Sequence, residues 1–172
     1  MTESSALIDV INELISTERS YVRRLRILKH DYADPLRKFS RNKDTAILPP
    51  YEAKILFGNV DSLLPVNEAF LVDLEKMIAP NGPKAVGGIG DVALRHFRDL
   101  RGFEHYRGYY DKREEAQSIF LAEMAKKSSG FGAYIDVRAP RTRKCYISSQ
   151  IVVSVSNTLA QMRETVLACE SC

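Results

Sequence analysis

Cysteine is scarce in this chain of 172 residues: Cys145, Cys169 and Cys172 are the only three, all within the last 28 positions. An odd, bunched set makes no disulfide framework for a domain of this size, so the body of the fold has to stand on packing. Long apolar runs are missing as well. None approaches the roughly 18 to 20 consecutive residues that cross a bilayer, which argues against a membrane span. The opening Met1-Thr-Glu-Ser-Ser has no basic segment leading into an apolar core, so no secretory signal is legible and a cytoplasmic location is expected. An excess of one charge is lacking over most of the chain: residues 1 to 136 hold 20 Lys and Arg against 20 Asp and Glu, and only residues 137 to 172 lean basic, 5 against 2. A neutral body offers no clustered basic footprint for phosphates, so nucleic acid is not an expected partner.

What the chain does have is 45% hydrophobic and 27% charged residues, the make-up of one globular domain that buries roughly two thirds of its unfolded surface. The apolar residues fall at helical spacing. Leu7, Val10, Ile11, Leu14, Ile15, Tyr21, Val22, Leu25 and Leu28 share one face, which predicts a first helix to about residue 29, capped by Ser4 or Ser5 and roughly 37 Å long. Pro35 predicts a kink or break. Residues 40 to 50 read as a loop, with Pro50 opening a short helix through residue 57. Gly58 ends it and Asn59 can cap the next helix, over residues 60 to 78, with a bend at Pro65. Residues 79 to 90 are rich in Pro and Gly and read as a loop, followed by a short helix over residues 91 to 100. A last helix over residues 103 to 127 should bury Tyr106, Tyr109, Tyr110, Ala116, Ile119, Phe120 and Met124. The packing solution for such elements is all-α: an elongated bundle of long antiparallel helices with an irregular C-terminal tail.

Few residues suggest chemistry. Gly87-Gly-Ile-Gly-Asp lacks the Lys-Ser/Thr of a phosphate-binding loop and has no strand before it, so it reads as a helix connection. His30, His96 and His105 have no metal-ligand spacing and read as solvated or partly buried imidazoles, and no metal site is expected. Cys169-Glu-Ser-Cys172 has the C-x-x-C form, but neither further zinc ligands nor a helix N-terminus adjoins it. On the first helix, Glu13, Thr17, Glu18 and Ser20 set carboxylates and hydroxyls along a stripe.

The run Val10-Ile-Asn-Glu-Leu-Ile-Ser-Thr-Glu-Arg-Ser-Tyr-Val-Arg-Arg-Leu25 resembles the first conserved region of the Dbl-homology domain, the helical exchange module of Rho-family guanine-nucleotide exchange factors. Further matches follow in order. Tyr32-Ala-Asp-Pro-Leu36 is similar to the segment where that family's first helix bends, and Ile55-Leu-Phe-Gly-Asn-Val-Asp-Ser-Leu-Leu64, with Asn67, Phe70, Leu71, Leu74 and Glu75, is similar to the next helices. Gly90-Asp91, Phe97 and residues 106 to 116 resemble the second conserved region. The likeness covers residues 6 to 136, and the long Pro-Gly-rich stretch from Ala79 to Gly90 most resembles fungal members. The resemblance implies exchange of GDP on a Rho-family small GTPase without covalent chemistry and without a cofactor. By position, Glu13 is the glutamate that engages switch I, and Thr17 and Glu18 are the further switch-contact candidates.

After Phe131-Gly-Ala-Tyr-Ile-Asp136 the resemblance stops, before the family's third conserved region. Residues 137 to 172 change charge balance, hold all the cysteines and alternate like a strand through Ser148-Ser-Gln-Ile-Val-Val-Ser-Val-Ser156. The tail is read as non-homologous, from a retained intron or a change of frame. The expectation is an incomplete domain whose exchange activity is impaired; the alternative is an inactive fragment that still touches the GTPase. Uncovered apolar helix faces would favour self-association.

Overall fold

The computed structural model describes residues 3–126, 128 and 130–138. Those residues form helices and connecting turns, with no strand among them. In chain order these are α1 (Glu3–Ile27), a wide π-helical turn (Leu28–Ala33), α2 (Asp34–Phe39), α3 (Pro50–Ile55), α4 (Val60–Met77), α5 (Gly82–Val86), α6 (Ile89–Leu94), a second π-helical turn (Arg95–Asp99), α7 (Gly102–Ala125) and α8 (Gly130–Arg138). The expectations for the tail beyond Arg138, its strand-like stretch and its C-x-x-C pair included, lie outside the described residues. The described residues divide into two compact units, one from residues 3–26 and Val60–Arg107, the other from Ile27–Asn59 and the described residues of 108–138.

In the first unit, α1 buries Ile15, Glu18, Tyr21, Val22 and Leu25, a face that repeats every three or four residues. On α4 the matching stripe is Val60, Leu63, Leu64, Asn67, Phe70, Leu74 and Met77. Each large apolar side chain removed from water in this way contributes about 1.5 to 3 kcal/mol. The two helices run antiparallel: Arg19 pairs with Glu75 and Arg26 with Glu68, both at 2.6 Å, so seven residues forward on one helix is seven back on the other. All four side chains are solvated, so these pairs mark the register and add little stability. Pro65 sits on the exposed side of α4, which runs through it unbroken.

The far end of α4 is closed by backbone approach. Asn81 adopts φ 63°, and a Cβ on Gly82 would lie 1.8 Å from the Lys76 carbonyl oxygen, so only glycine lets α5 turn back against α4. Gly88 precedes α6, and its N–H donates to Asp91 Oδ2 at 2.9 Å; only Gly87 and Gly88 connect α5 to α6, since Ile89, Gly90 and Asp91, the first two of them read from sequence as loop, open α6. The short helix α5 was read from sequence as loop as well. Beyond α6, His96 is buried and its Nε2 lies 2.8 Å from Asp73 Oδ2, contrary to the expectation of a solvated or partly buried ring. Burial pushes the Asp73 carboxyl up, but the hydrogen bond and charge of His96, with help from Lys76, outweigh it and hold the group below its ordinary value. Phe97 gathers the aromatics around it, with Phe70 at 4.9 Å, Phe103 at 5.1 Å and Tyr106 at 6.2 Å between ring centroids.

The second unit encloses Tyr32, Leu36, Leu48, Ile55, Leu56, Phe57, Phe120, Phe131, Tyr134 and Ile135. Pro35 does not break the chain. The turn before it is widened by one residue, so that the Asp34 N–H donates to the Lys29 carbonyl five residues back, and the larger turn makes room for the proline ring and its missing donor. Tyr134 reaches across to donate to the Tyr32 carbonyl at 2.6 Å, and Phe131 meets Phe120 edge to face at 5.7 Å. Gly58 takes φ +54°, which ends the turn after α3, and its carbonyl accepts from Arg37 Nη2 at 3.2 Å.

Other differences from the sequence expectation have local causes. α1 begins already at Glu3, so Ser4 and Ser5 lie inside it and not at its cap. Leu7 and Val10 are exposed on the first turns of α1, and Tyr110 and Met124 are exposed on α7, where Tyr106 and Phe120 carry the buried face. The stretch Pro50–Met77 is long and apolar enough by composition to pass for a membrane-crossing helix, against the expectation that none exists. Its backbone nevertheless breaks into α3 and α4, and Ile55, Leu56, Phe57, Leu63, Leu64, Phe70 and Leu74 within it are buried in the two cores.

Gly102→Ala tests the packing at the start of α7, where a Cβ would stand 2.6 Å from the His96 carbonyl oxygen and 3.1 Å from the Phe97 ring. Urea denaturation should show a loss of about 1 to 3 kcal/mol, the range for overpacking. Gly90→Ala, with nothing within 4 Å of its added Cβ, should hold or gain stability. Equal stability of the two variants would contradict this packing.

Candidate functional site

α1 turns two different polar sets in opposite directions. Glu13, Thr17 and Ser20 are spaced by four and three residues and share a face on which Glu13 and Thr17 are exposed and Ser20 is half-buried. Glu18 follows Glu13 by five positions, roughly 140° further round the helix. It therefore leaves the stripe and enters the core. Only 1% of Glu18 remains accessible, which corrects the sequence reading that set it among the surface contacts.

The outward set is chemically free. No ion pair or side-chain hydrogen bond engages the Glu13 carboxylate among the described residues, whereas Arg19 and Arg26 further along α1 are tied to α4. A free carboxylate with a hydroxyl one turn away can accept hydrogen bonds from a partner's backbone or side-chain donors.

The inward set is a polar cluster within apolar surroundings. Tyr106 on α7 donates to Asn67 Oδ1 on α4 at 2.6 Å, and Asn67 Nδ2 donates to the Leu63 carbonyl at 2.7 Å. Both residues are buried. Burial and the neighbouring Glu18 carboxyl push the Tyr106 phenol above its ordinary value, against the hydrogen bonds it shares with Tyr21 and Asn67. Glu18 itself is pushed up to about 8 by burial, and its Oε1 has no hydrogen-bond partner. The Asn67–Tyr106 bond was not read from the sequence, although an amide in the middle of the apolar stripe of α4 was the available signal, since buried amides need partners.

Among the described residues no three His, Cys, Asp or Glu side chains are grouped so that they could hold a metal ion. His30 pairs with Asp34 at 3.5 Å, far along the chain from the Asp73–His96 pair.

Comparison with known proteins gives a consistent picture. The family model described as the RhoGEF domain matches residues 10–157, and so runs past residue 136. The phosphatidylinositol 3,4,5-trisphosphate-dependent Rac exchanger 1 protein of Mus musculus is 32% identical over 117 residues, 68% of this chain and 7% of that protein. The Rho guanine nucleotide exchange factor TIAM2 of Mus musculus is 26% identical over 168 residues, 92% of this chain and 9% of its own length. The Rho guanine nucleotide exchange factor 9 of Homo sapiens is 32% identical over 120 residues, 70% of this chain and 21% of its own. The chain thus spans only a small part of the curated relatives it matches. No solved structure gives a significant match.

Tyr106→Phe tests the inward cluster, because it leaves the buried Asn67 Oδ1 without its donor at unchanged shape. The expected loss is about 1 to 3 kcal/mol by urea denaturation, the cost of an orphaned buried acceptor. An unchanged midpoint would mean that the bond does not hold α4 to α7.

Proposed function

The chain belongs to the RhoGEF domain family, and from that premise we propose that it binds a Rho-family small GTPase through the outward stripe of α1 and promotes release of GDP. The observation that carries this reading is that Glu13 is exposed and unpaired among the described residues, at the position that the family resemblance implies for switch I contact. Thr17, one turn on, adds a hydroxyl to the same surface. Glu18 is not part of it, because its carboxyl is turned inward.

Exchange of this kind makes no covalent bond. A protein that binds the nucleotide-free GTPase more tightly than the loaded one must weaken nucleotide binding by the same factor. At the switch regions that means drawing away the groups that hold Mg²⁺ and the phosphates, and a carboxylate can hold switch donors in the displaced arrangement. The activity belongs in the cytoplasm on this reading. One relative is named a Rac exchanger and others Rho guanine nucleotide exchange factors, so both kinds of GTPase belong in the assay.

Release of a fluorescent GDP analogue tests the proposal. The chain should accelerate release from at least one member of a Rho-family panel, and Glu13→Lys should abolish the acceleration while circular dichroism and the thermal midpoint stay unchanged. An exposed substitution of this sort shifts stability by less than about 0.5 kcal/mol. Full exchange by Glu13→Lys would overturn the role of Glu13, as would unfolding of that variant. Binding without acceleration by the parent chain would instead mark it as an inactive interaction fragment.

A further inference from the structure

Glu18 is a carboxyl that neither the surface nor the core accounts for. It is 1% accessible, and one of its oxygens is unbonded. The polar groups of the inward cluster are engaged with one another. From α7, Tyr106 is its electrostatic neighbour, and the Tyr106 hydroxyl proton goes to Asn67 Oδ1 at 2.6 Å. From α4, the Asn67 amide donates to the Leu63 carbonyl at 2.7 Å. On α1 itself, Tyr21 adjoins the Tyr106 hydroxyl. Of the four cations of that helix, Arg19 and Arg26 hold Glu75 and Glu68 on the solvated side, and Arg23 and Arg24 are exposed. Among the described residues no ion pair engages Glu18, and burial is the cause that raises its carboxyl.

A negative charge there would have no ion-pair partner among the described residues, whereas a neutral carboxylic acid costs far less to bury. We propose that Glu18 is a proton-loaded positioning residue: its neutral carboxyl, seated beside Tyr106, holds the rotation of α1 that turns Glu13 and Thr17 outward. Its ionisation loosens α1 and the exchange surface with it. The exchange half of this inference rests on the function proposed above; the seating of α1 does not.

The sign of the linkage follows from the raised value, about 8 in the folded chain against 4.5 for the ordinary group. Between those values the folded state holds a proton that the unfolded state has lost, so stability falls as pH rises. The contribution of Glu18 is fully present below about pH 4.5, declines through neutrality and levels off above about pH 8. Within that window each pH unit raises the unfolding constant by up to about tenfold.

Urea unfolding of the full chain from pH 5 to pH 9 gives the first reading. Wild type should lose stability along this range relative to Glu18→Gln, which keeps the shape of the acid and cannot ionise. Parallel profiles of the two proteins would overturn the proposal. Should Glu18→Gln fail to fold, infrared spectroscopy of the wild-type chain replaces it: the carbonyl stretch of a protonated carboxyl should persist at pH 7, and its complete loss by pH 6 would overturn the proposal. The exchange assay then separates the two readings. With a responsive GTPase, the ratio of Glu18→Gln activity to wild-type activity should climb as pH rises, and a constant ratio would sever α1 seating from exchange. If no GTPase responds at any pH while the unfolding profiles diverge, the exchange reading fails and the seating role of Glu18 stands.

Discussion

The rotation of α1 about its own axis is the constraint on which the candidate surface depends, and the face that carries Ile15, Glu18, Tyr21, Val22 and Leu25 into the core sets it. Glu18, Tyr106 and Asn67 come from α1, α7 and α4 and are all withdrawn from water. Tyr106 and Asn67 are bonded to each other across α7 and α4, while the Glu18 carboxyl of α1 lies buried with one oxygen unbonded. With Glu18 inside, Glu13 and Thr17 have to face out. The ion pairs from Arg19 and Arg26 to α4 record the same register at the surface.

Backbone geometry supplies the remaining precision. Gly82 and Gly102 stand where a methyl group would meet a carbonyl oxygen at 1.8 Å and 2.6 Å, so the chain turns back on α4 and enters α7 only because those side chains are absent. The widened turn at Leu28–Ala33 lets the helix pass Pro35 without a break. Each device is local, and each leaves the long apolar stripes to supply most of the stabilisation.

The long helices were legible because periodicity is a strong signal over many turns, as on α4, where the buried residues Val60, Leu63, Leu64, Phe70, Leu74 and Met77 follow the three-and-four rule. Short helices carry no such signal: α5 holds five residues, two of them Gly and Pro, and reads as loop by composition. The π-helical turns were invisible for a related reason, since a single extra residue in one turn does not disturb the pattern enough to be seen. Glu18 was misplaced because its residue type argues for the surface, and its angular position, which argues for the core, was outweighed. His96 reads the same way. Only the fold reveals that Asp73 waits at 2.8 Å to accept its ring nitrogen as a bonded partner.

The central claim is that this chain discriminates between two states of a GTPase, and titration calorimetry measures that difference directly. Take a Rho-family GTPase that answers in the release assay and titrate the chain into it twice, once stripped of nucleotide and once loaded with GDP and Mg²⁺. The account predicts tight binding to the stripped form and binding at least about tenfold weaker to the loaded form, the coupling that exchange requires. Equal affinity for the two forms would contradict it, because a ligand that binds both states alike shifts neither.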